Sequence, residues 1–251
     1  MKILISTSKT MKYFEDKNLE KLEYTDPVFI EWANNINRQL KKINKTDLQK
    51  IMKISPELAN RVFLVTKSFK DDQNLFPAIR YFSGDIFRGV RKIDWDKNDY
   101  IYSQNNLRII SGLYGILKPL DRIKSYRLEM GYKIPGSKFY NLANFWKDKI
   151  SKELMKEDLI FNLMPLEYSK AVFPLSNNPT IVSPQFLVKN QDGLIKNIIV
   201  NTKTTRGLMA SWLIKNRVDN FGDITKFNLE NYTFDQNLTQ SIYKPVFVRP
   251  A

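Results

Sequence analysis

The chain contains no cysteine and no histidine in its 251 residues. Disulfides, thiol nucleophiles, Cys/His zinc sites, Ser-His-Asp triads and imidazole acid–base work are therefore all excluded. A metal ion would have to be held by carboxylates and carbonyls, as Mg²⁺ is. No such set stands out, so neither a metal nor a cofactor is expected. No apolar run approaches the roughly 18 to 20 residues of a membrane-spanning helix. The opening Met1-Lys2-Ile3-Leu4-Ile5-Ser6 lacks the length and cleavage pattern of a signal peptide. A cytoplasmic location without membrane contact is the expectation. Repeats, linkers and low-complexity tracts are also missing, which favours one domain over residues 1–251 and a monomer.

Acidic residues are the remaining deficit. Lys and Arg number 40 against 26 Asp and Glu, a net charge of +14, and such an excess favours a polyanionic partner. The chain is also rich in Asn, Ile and Lys, a bias that A/T-rich coding produces without function, so clustering matters more than the total. The densest stretch runs from Arg38 to Lys70. It holds Arg38, Lys41, Lys42, Lys45, Lys50, Lys53, Arg61, Lys67 and Lys70 against only Asp47 and Glu57.

A hydrophobic content of 43% supports a globular core. Short apolar runs alternate with helical patterns, which predicts an α/β fold, a mixed sheet flanked by helices. Residues 2–6 read as a first strand ending at Thr7-Ser8-Lys9-Thr10, where open α/β sheets collect ligands. Asp26-Pro27 looks like a helix start, and Val28, Ile30, Trp32, Ile36 and Leu40 continue a helix over 27–42. Thr46 or Asp47 is expected to cap a second helix and Ser55-Pro56 to begin a third. Leu48, Ile51, Ala59 and Val62 then follow the spacing of a helix-hairpin-helix, which offers amides and a helix start to a nucleic-acid phosphate. Lys53 and Ser55 occupy the two positions where that motif normally has glycine. Residues 27–66 thus form a basic helical subdomain, although an ordinary solvated helical pair would show the same charges.

In residues 76–90, Tyr81, Phe82 and Phe87 interleave with Arg80, Arg88 and Arg91, compatible with base stacking and equally with an aromatic core. The stretch 107–131, LRIISGLYGILKPLDRIKSYRLEMG, carries the most unusual local chemistry. A strand from Leu107 runs to Ser111, Gly112 and Gly115 bracket a tight loop holding Tyr114, and Arg127 and Glu129 follow, as in the floor of a cleft. A strand 159–163 opens into Glu167, Tyr168 and Lys170. Residues 179–188 and 194–202 flank Asn190-Gln191-Asp192-Gly193 as the arms of a hairpin. A helix from Leu208 to Val218 would then place Lys203 and Arg206 at its N-terminus, where positive charge opposes the helix dipole and an anion would relieve it. A last strand is expected over 243–248.

Together, ILISTSKT (3–10), SGDIFRGV (83–90), SGLYG…LKPLD…RLEMG (111–131), NLMPLEYSKAV (162–172) and KTTRGLMA (203–210) resemble the YaaA (UPF0246) family of bacterial peroxide-stress proteins. The chain departs from the family pattern at Ser6-Thr7-Ser8-Lys9-Thr10, where SPAKT is usual, and at Ser211, where a basic residue is common. The resemblance implies an α/β fold with a helix-hairpin-helix-like element and a positively charged cleft. It also implies DNA binding and a role in limiting iron-driven DNA damage.

Two functions follow as expectations. One is a DNA-binding protein, on duplex or branched DNA, that grips the phosphate backbone with little sequence preference. Lys9, Arg88, Ser111, Tyr114, Arg127, Lys170, Lys203 and Arg206 would contact phosphate in the cleft, with Lys50, Lys53, Ser55 and Arg61 on the helical pair. The other is an enzyme on a nucleotide or other small phosphorylated ligand, with Glu129 and Glu167 as acid and base and Tyr114 or Tyr168 as proton donor. A pocket the size of one nucleotide with a carboxylate among cations favours the second, and a long open groove the first.

Overall fold

The computed structural model describes residues 1–69 and 75–251. Lys70 of the basic run lies outside the described residues. The strands in chain order are β1 (Lys2–Ser6), β2 (Phe76–Pro77), β3 (Leu107–Ser111), β4 (Gly115–Leu117), β5 (Arg122–Ile123), β6 (Leu159–Asn162), β7 (Thr180–Val182), β8 (Gln185–Lys189), β9 (Ile195–Lys196), β10 (Thr233–Phe234) and β11 (Val246–Pro250). The helices are α1 (Ile30–Leu40), α2 (Lys45–Met52), α3 (Pro56–Lys67), α4 (Ala78–Tyr81), α5 (Asp85–Val90), α6 (Lys97–Asn106), α7 (Leu142–Leu154), α8 (Leu166–Ser169) and α9 (Ile199–Lys215).

Ile3, Leu4 and Ile5 are apolar in succession because β1 is buried on both faces, at the middle of a five-stranded sheet ordered β4-β3-β1-β6-β7. Both neighbours of β1 are parallel to it, with Ile3 opposite Leu107 and Leu4 opposite Asn162, and only β4 runs antiparallel. Strands are therefore added first on one side of β1 and then on the other, which leaves the carboxyl ends of β1, β3 and β6 facing a common edge. The architecture is mixed α/β as expected, but the strands form three sheets among the described residues. A second sheet is ordered β10-β11-β8-β9, and β2 pairs with β5.

Several boundaries differ from the sequence expectation for identifiable reasons. Asp26 does not cap the first helix, because its carboxylate receives Arg122 Nη2 at 2.9 Å, and α1 starts only at Ile30. Asn44, rather than Thr46 or Asp47, caps α2 by accepting the Asp47 amide at 2.9 Å. Ser55 caps α3 as expected, with Pro56 at its first position. Phe82 and Phe87 are fully buried and pack on one another in the core, so they present no stacking surface. The predicted hairpin splits: β7 joins the central sheet, β8 pairs with β9, and the second arm ends at Lys196. Helix α9 then begins at Ile199, nine residues before Leu208, so Lys203 and Arg206 sit inside the helix and not at its N-terminus.

What holds α9 in place is its crossing with α5. A Cβ on Gly207 would fall 1.7 Å from the Ile86 carbonyl oxygen, and one on Gly89 would fall 1.9 Å from that of Thr204. The two backbones touch directly. The far end of α9 is tied to the start of α6. There buried Asp99 completes a capping box with Asp96 and receives Lys215 Nζ at 2.7 Å and Arg217 Nη2 at 2.8 Å. Burial alone would raise the Asp99 pKa, but the hydrogen bonds from Lys215, the Asp96 amide and Arg217 outweigh it and hold the carboxyl below its ordinary value. A depressed carboxyl contributes stability that is present above its unfolded-state pKa and lost as pH falls through the folded one. Urea unfolding should therefore show stability declining below about pH 4. Asp99→Asn should lack that part of the decline and cost about 1–3 kcal/mol at neutral pH. An unchanged acid limb in the variant would contradict this.

Candidate functional site

A cavity of about 370 Å³ opens at the carboxyl ends of β1 and β6. Residues 6–10, residues 84–86 at the start of α5, Glu129, Glu167, Tyr168 and Lys203 are among its walls. The loop after β1 is fixed by Ser8, whose hydroxyl accepts the Gly84 amide at 2.9 Å and the Thr10 amide at 3.1 Å and donates to the Thr10 carbonyl at 2.6 Å. Lys9 projects from that anchored loop and is 58% exposed. Its ammonium lies 3.1 Å from Glu129 Oε1, and the same oxygen accepts the Tyr132 hydroxyl at 2.6 Å. Tyr132 Oη is also 3.4 Å from the Met52 carbonyl. A phenol has one proton, and the shorter bond takes it. The end of α2, next to Lys53, is thus in contact with the cavity through Tyr132. Burial, and then the Glu129 carboxylate, push the Tyr132 pKa up, so this hydroxyl stays protonated as a donor.

Glu167, from the short helix after β6, accepts the Gly131 amide through Oε1 at 2.8 Å. Both carboxylates proposed as acid and base therefore hang on the 129–131 segment. Asp85, Glu129 and Glu167 line the cavity with Lys9 and Lys203, so its wall is mixed in sign rather than uniformly basic. Tyr168, in the wall, and Tyr126 form a buried pair of phenols on this side. Tyr168 Oη is 3.2 Å from Thr7 Oγ1, Tyr126 Oη is 2.7 Å from Ser111 Oγ, and burial raises the pKa of both phenols.

The sequence candidates divide accordingly. Lys9, Lys203, Glu129, Glu167 and Tyr168 meet in the cavity. Arg127 adjoins it, donating from Nη1 to the Lys9 carbonyl at 3.2 Å. Arg88 faces a neighbouring cavity and pairs with Asp85 at 2.7 Å. Lys170 is exposed just past α8. Arg206, one turn beyond Lys203 on α9, is largely buried and burial lowers its pKa. Lys50, Lys53, Ser55 and Arg61 are exposed on α2, α3 and the turn between them.

Ser111 and Tyr114 are corrected. Ser111 is fully buried and its hydroxyl accepts the Leu113 and Tyr114 amides at 3.2 and 3.0 Å, closing the β3–β4 turn. Tyr114 is buried and accepts the Lys124 amide at 3.1 Å, so neither side chain lines the cavity. The glycine-flanked turn is a support and not a floor. A Cβ on Gly112 would lie 2.6 Å from the Leu128 carbonyl, so glycine is what lets this turn seat against the backbone that carries Glu129. Asp85 and Tyr132 are site residues that sequence reasoning missed, whereas Thr7 and Ser8 belong to the loop after β1 that it singled out. Its place three residues after Glu129 was the only available signal for Tyr132.

The model of a family described as "Peroxide stress protein YaaA" matches residues 1–238. The chain is 35% identical over 251 residues to a UPF0246 protein of Clostridium beijerinckii, covering 95% of this chain and 94% of that one. It is 36% identical over 249 residues to a UPF0246 protein of Flavobacterium johnsoniae, covering 96% and 97%. A UPF0246 protein of Francisella philomiragia is 35% identical over 251 residues, with 95% and 96% covered.

Proposed function

The chain belongs to the family of the peroxide stress protein YaaA, and from that premise we propose that it protects DNA in the peroxide-stress response by binding the phosphate backbone. One observation carries the reading: the turn between α2 and α3. Lys53 adopts the left-handed conformation there, φ 50° and ψ 56°, which ends α2 sharply and lets Ser55 cap α3 two residues later. Lys50, Lys53 and Arg61 stand exposed around this turn, and the first-turn amides of α3 add partial positive charge. Such a helix-hairpin-helix-like element suits a phosphate without reading bases. Tyr132 Oη lies 3.4 Å from the Met52 carbonyl at the end of α2, beside the cavity where Lys203 and Arg127 extend the path of the backbone. Restraint of iron-driven damage would follow from occupying DNA, since no three His, Cys, Asp or Glu side chains gather as a metal site among the described residues.

A second reading is favoured by the cavity itself. At about 370 Å³ it is of a size for one nucleotide, and Glu129, only 14% exposed, is held between a lysine and a phenol as a general base would be. Anisotropy titrations with two unrelated labelled duplexes, run beside a nucleotide-turnover assay, separate the readings. Replacing Lys50, Lys53 and Arg61 together by alanine should weaken both duplexes alike, by about tenfold or more. Glu129→Gln should leave duplex affinity at or above that of the parent chain. Unchanged affinity in the triple variant would overturn the DNA reading, and nucleotide turnover lost in Glu129→Gln would establish the enzymatic one.

A further inference from the structure

A second cavity, of about 260 Å³, lies beside the first, across the α5–α9 crossing. Arg88 lines it while its partner Asp85 lines the first, and Thr204 lines it while Lys203 lines the first. Three cations reach it: Arg88, Lys92 and Arg249. Two are paired, Arg88 Nη2 with Asp85 at 2.7 Å and Lys92 Nζ with Glu230 at 2.5 Å. Arg249 is not. Its guanidinium lies over the ring of fully buried Tyr232, 5.4 Å from the centroid, and its Nε is buried with no acceptor.

Three positive charges against two negative ones leave one uncompensated, and the geometry locates it at Arg249. A guanidinium N–H removed from water without an acceptor is unfavourable, and the pairing of β11 with β8 and β10 runs through its backbone, not through this side chain. An oxyanion in the cavity would compensate the charge of this guanidinium. The opposite requirement is supplied by Glu230, which is held in the left-handed region at φ 55° in the turn before β10. Its carboxylate can accept a hydroxyl. Val200 and Leu208 give the cavity an apolar wall, as small-molecule sites have.

We propose that this cavity binds a small phosphorylated molecule bearing a hydroxyl. Arg249, Arg88 and the unused ammonium protons of Lys92 take the phosphate oxygens, and Glu230 takes the hydroxyl. The site is independent of the DNA reading. Calorimetric titration of the whole chain with ribose 5-phosphate tests it, with inorganic phosphate as the comparison. One ribose 5-phosphate per chain should bind. Arg249→Gln should weaken it by about tenfold or more, the loss of a charge-assisted contact. Glu230→Gln should weaken ribose 5-phosphate but not inorganic phosphate. Because Arg249 also stacks on Tyr232, surface-exposed Lys92→Gln serves as a second variant, with binding reduced severalfold and the melting temperature unchanged. Absence of binding, or binding indifferent to both Arg249→Gln and Lys92→Gln, would overturn the proposal. So would an Arg249→Gln variant that lost duplex affinity while the parent chain ignored ribose 5-phosphate, which would make the cavity part of the DNA track.

Discussion

Gly207→Ala is expected to cost the fold about 3 kcal/mol or more and to lower the melting temperature by roughly 10 °C. The added methyl meets backbone, not the flexible end of a side chain. Its Cβ would lie 1.7 Å from the Ile86 carbonyl oxygen, 2.7 Å from the Ile86 carbonyl carbon and 3.0 Å from the Val90 nitrogen. No rotamer change relieves that, so α5 and α9 must move apart and take with them the sealed packing of Leu208, Phe87 and Val90. Gly89→Ala forces the same separation from the other side, 1.9 Å from the Thr204 carbonyl. Since one movement accommodates both methyls, the double variant should be destabilised by less than the sum of the singles. The separation would also disturb the two cavities that share this crossing, so ligand binding should weaken even where the variant remains folded. A melting temperature within about 2 °C of the parent chain would show that the helices are not in backbone contact.

Much of the central sheet was legible because its strands are buried on both faces and must be apolar throughout, as in Ile3-Leu4-Ile5 and Ile109-Ile110. A cap was legible where the side chain had no competing partner, as at Ser55, and misread where it had one, as at Asp26. The start of α9 was not legible. Ile199 and Val200 are exposed β-branched residues that read as strand, and the distant glycine crossing with α5 holds the helix that they begin, a tertiary contact with no local trace.

The site shows the same division. Lys9 and Glu167 could be picked out from their place after strands, whereas Lys203 was expected at a helix start and lies inside α9. That Lys9 is spent on Glu129 and Arg88 on Asp85, leaving a cavity of mixed sign, depends on side-chain distances across long stretches of chain. Ser111 and Tyr114 looked functional for the reason that they are structural: a turn that must seat against the backbone of Glu129 needs glycine, a hydroxyl to bind its amides, and a large buried ring.

The second large effect expected is on salt. Five cations lie along the proposed backbone path, Lys50, Lys53, Arg61, Arg127 and Lys203, with Lys9 held by Glu129. If each of the five neutralises one phosphate, the logarithm of the duplex affinity should fall against the logarithm of salt concentration with a slope of about −4.5. That is a loss of roughly three orders of magnitude between 50 and 200 mM salt. Replacing Lys50, Lys53 and Arg61 by alanine should make the slope shallower by about 3, whichever duplex is used, because each contact released removes about one counterion. The measurement that bears most directly on backbone recognition is this titration of the parent chain with a duplex of arbitrary sequence. Backbone binding predicts the steep line, and an affinity that stays level across that range, or depends on the sequence of the duplex, would contradict it.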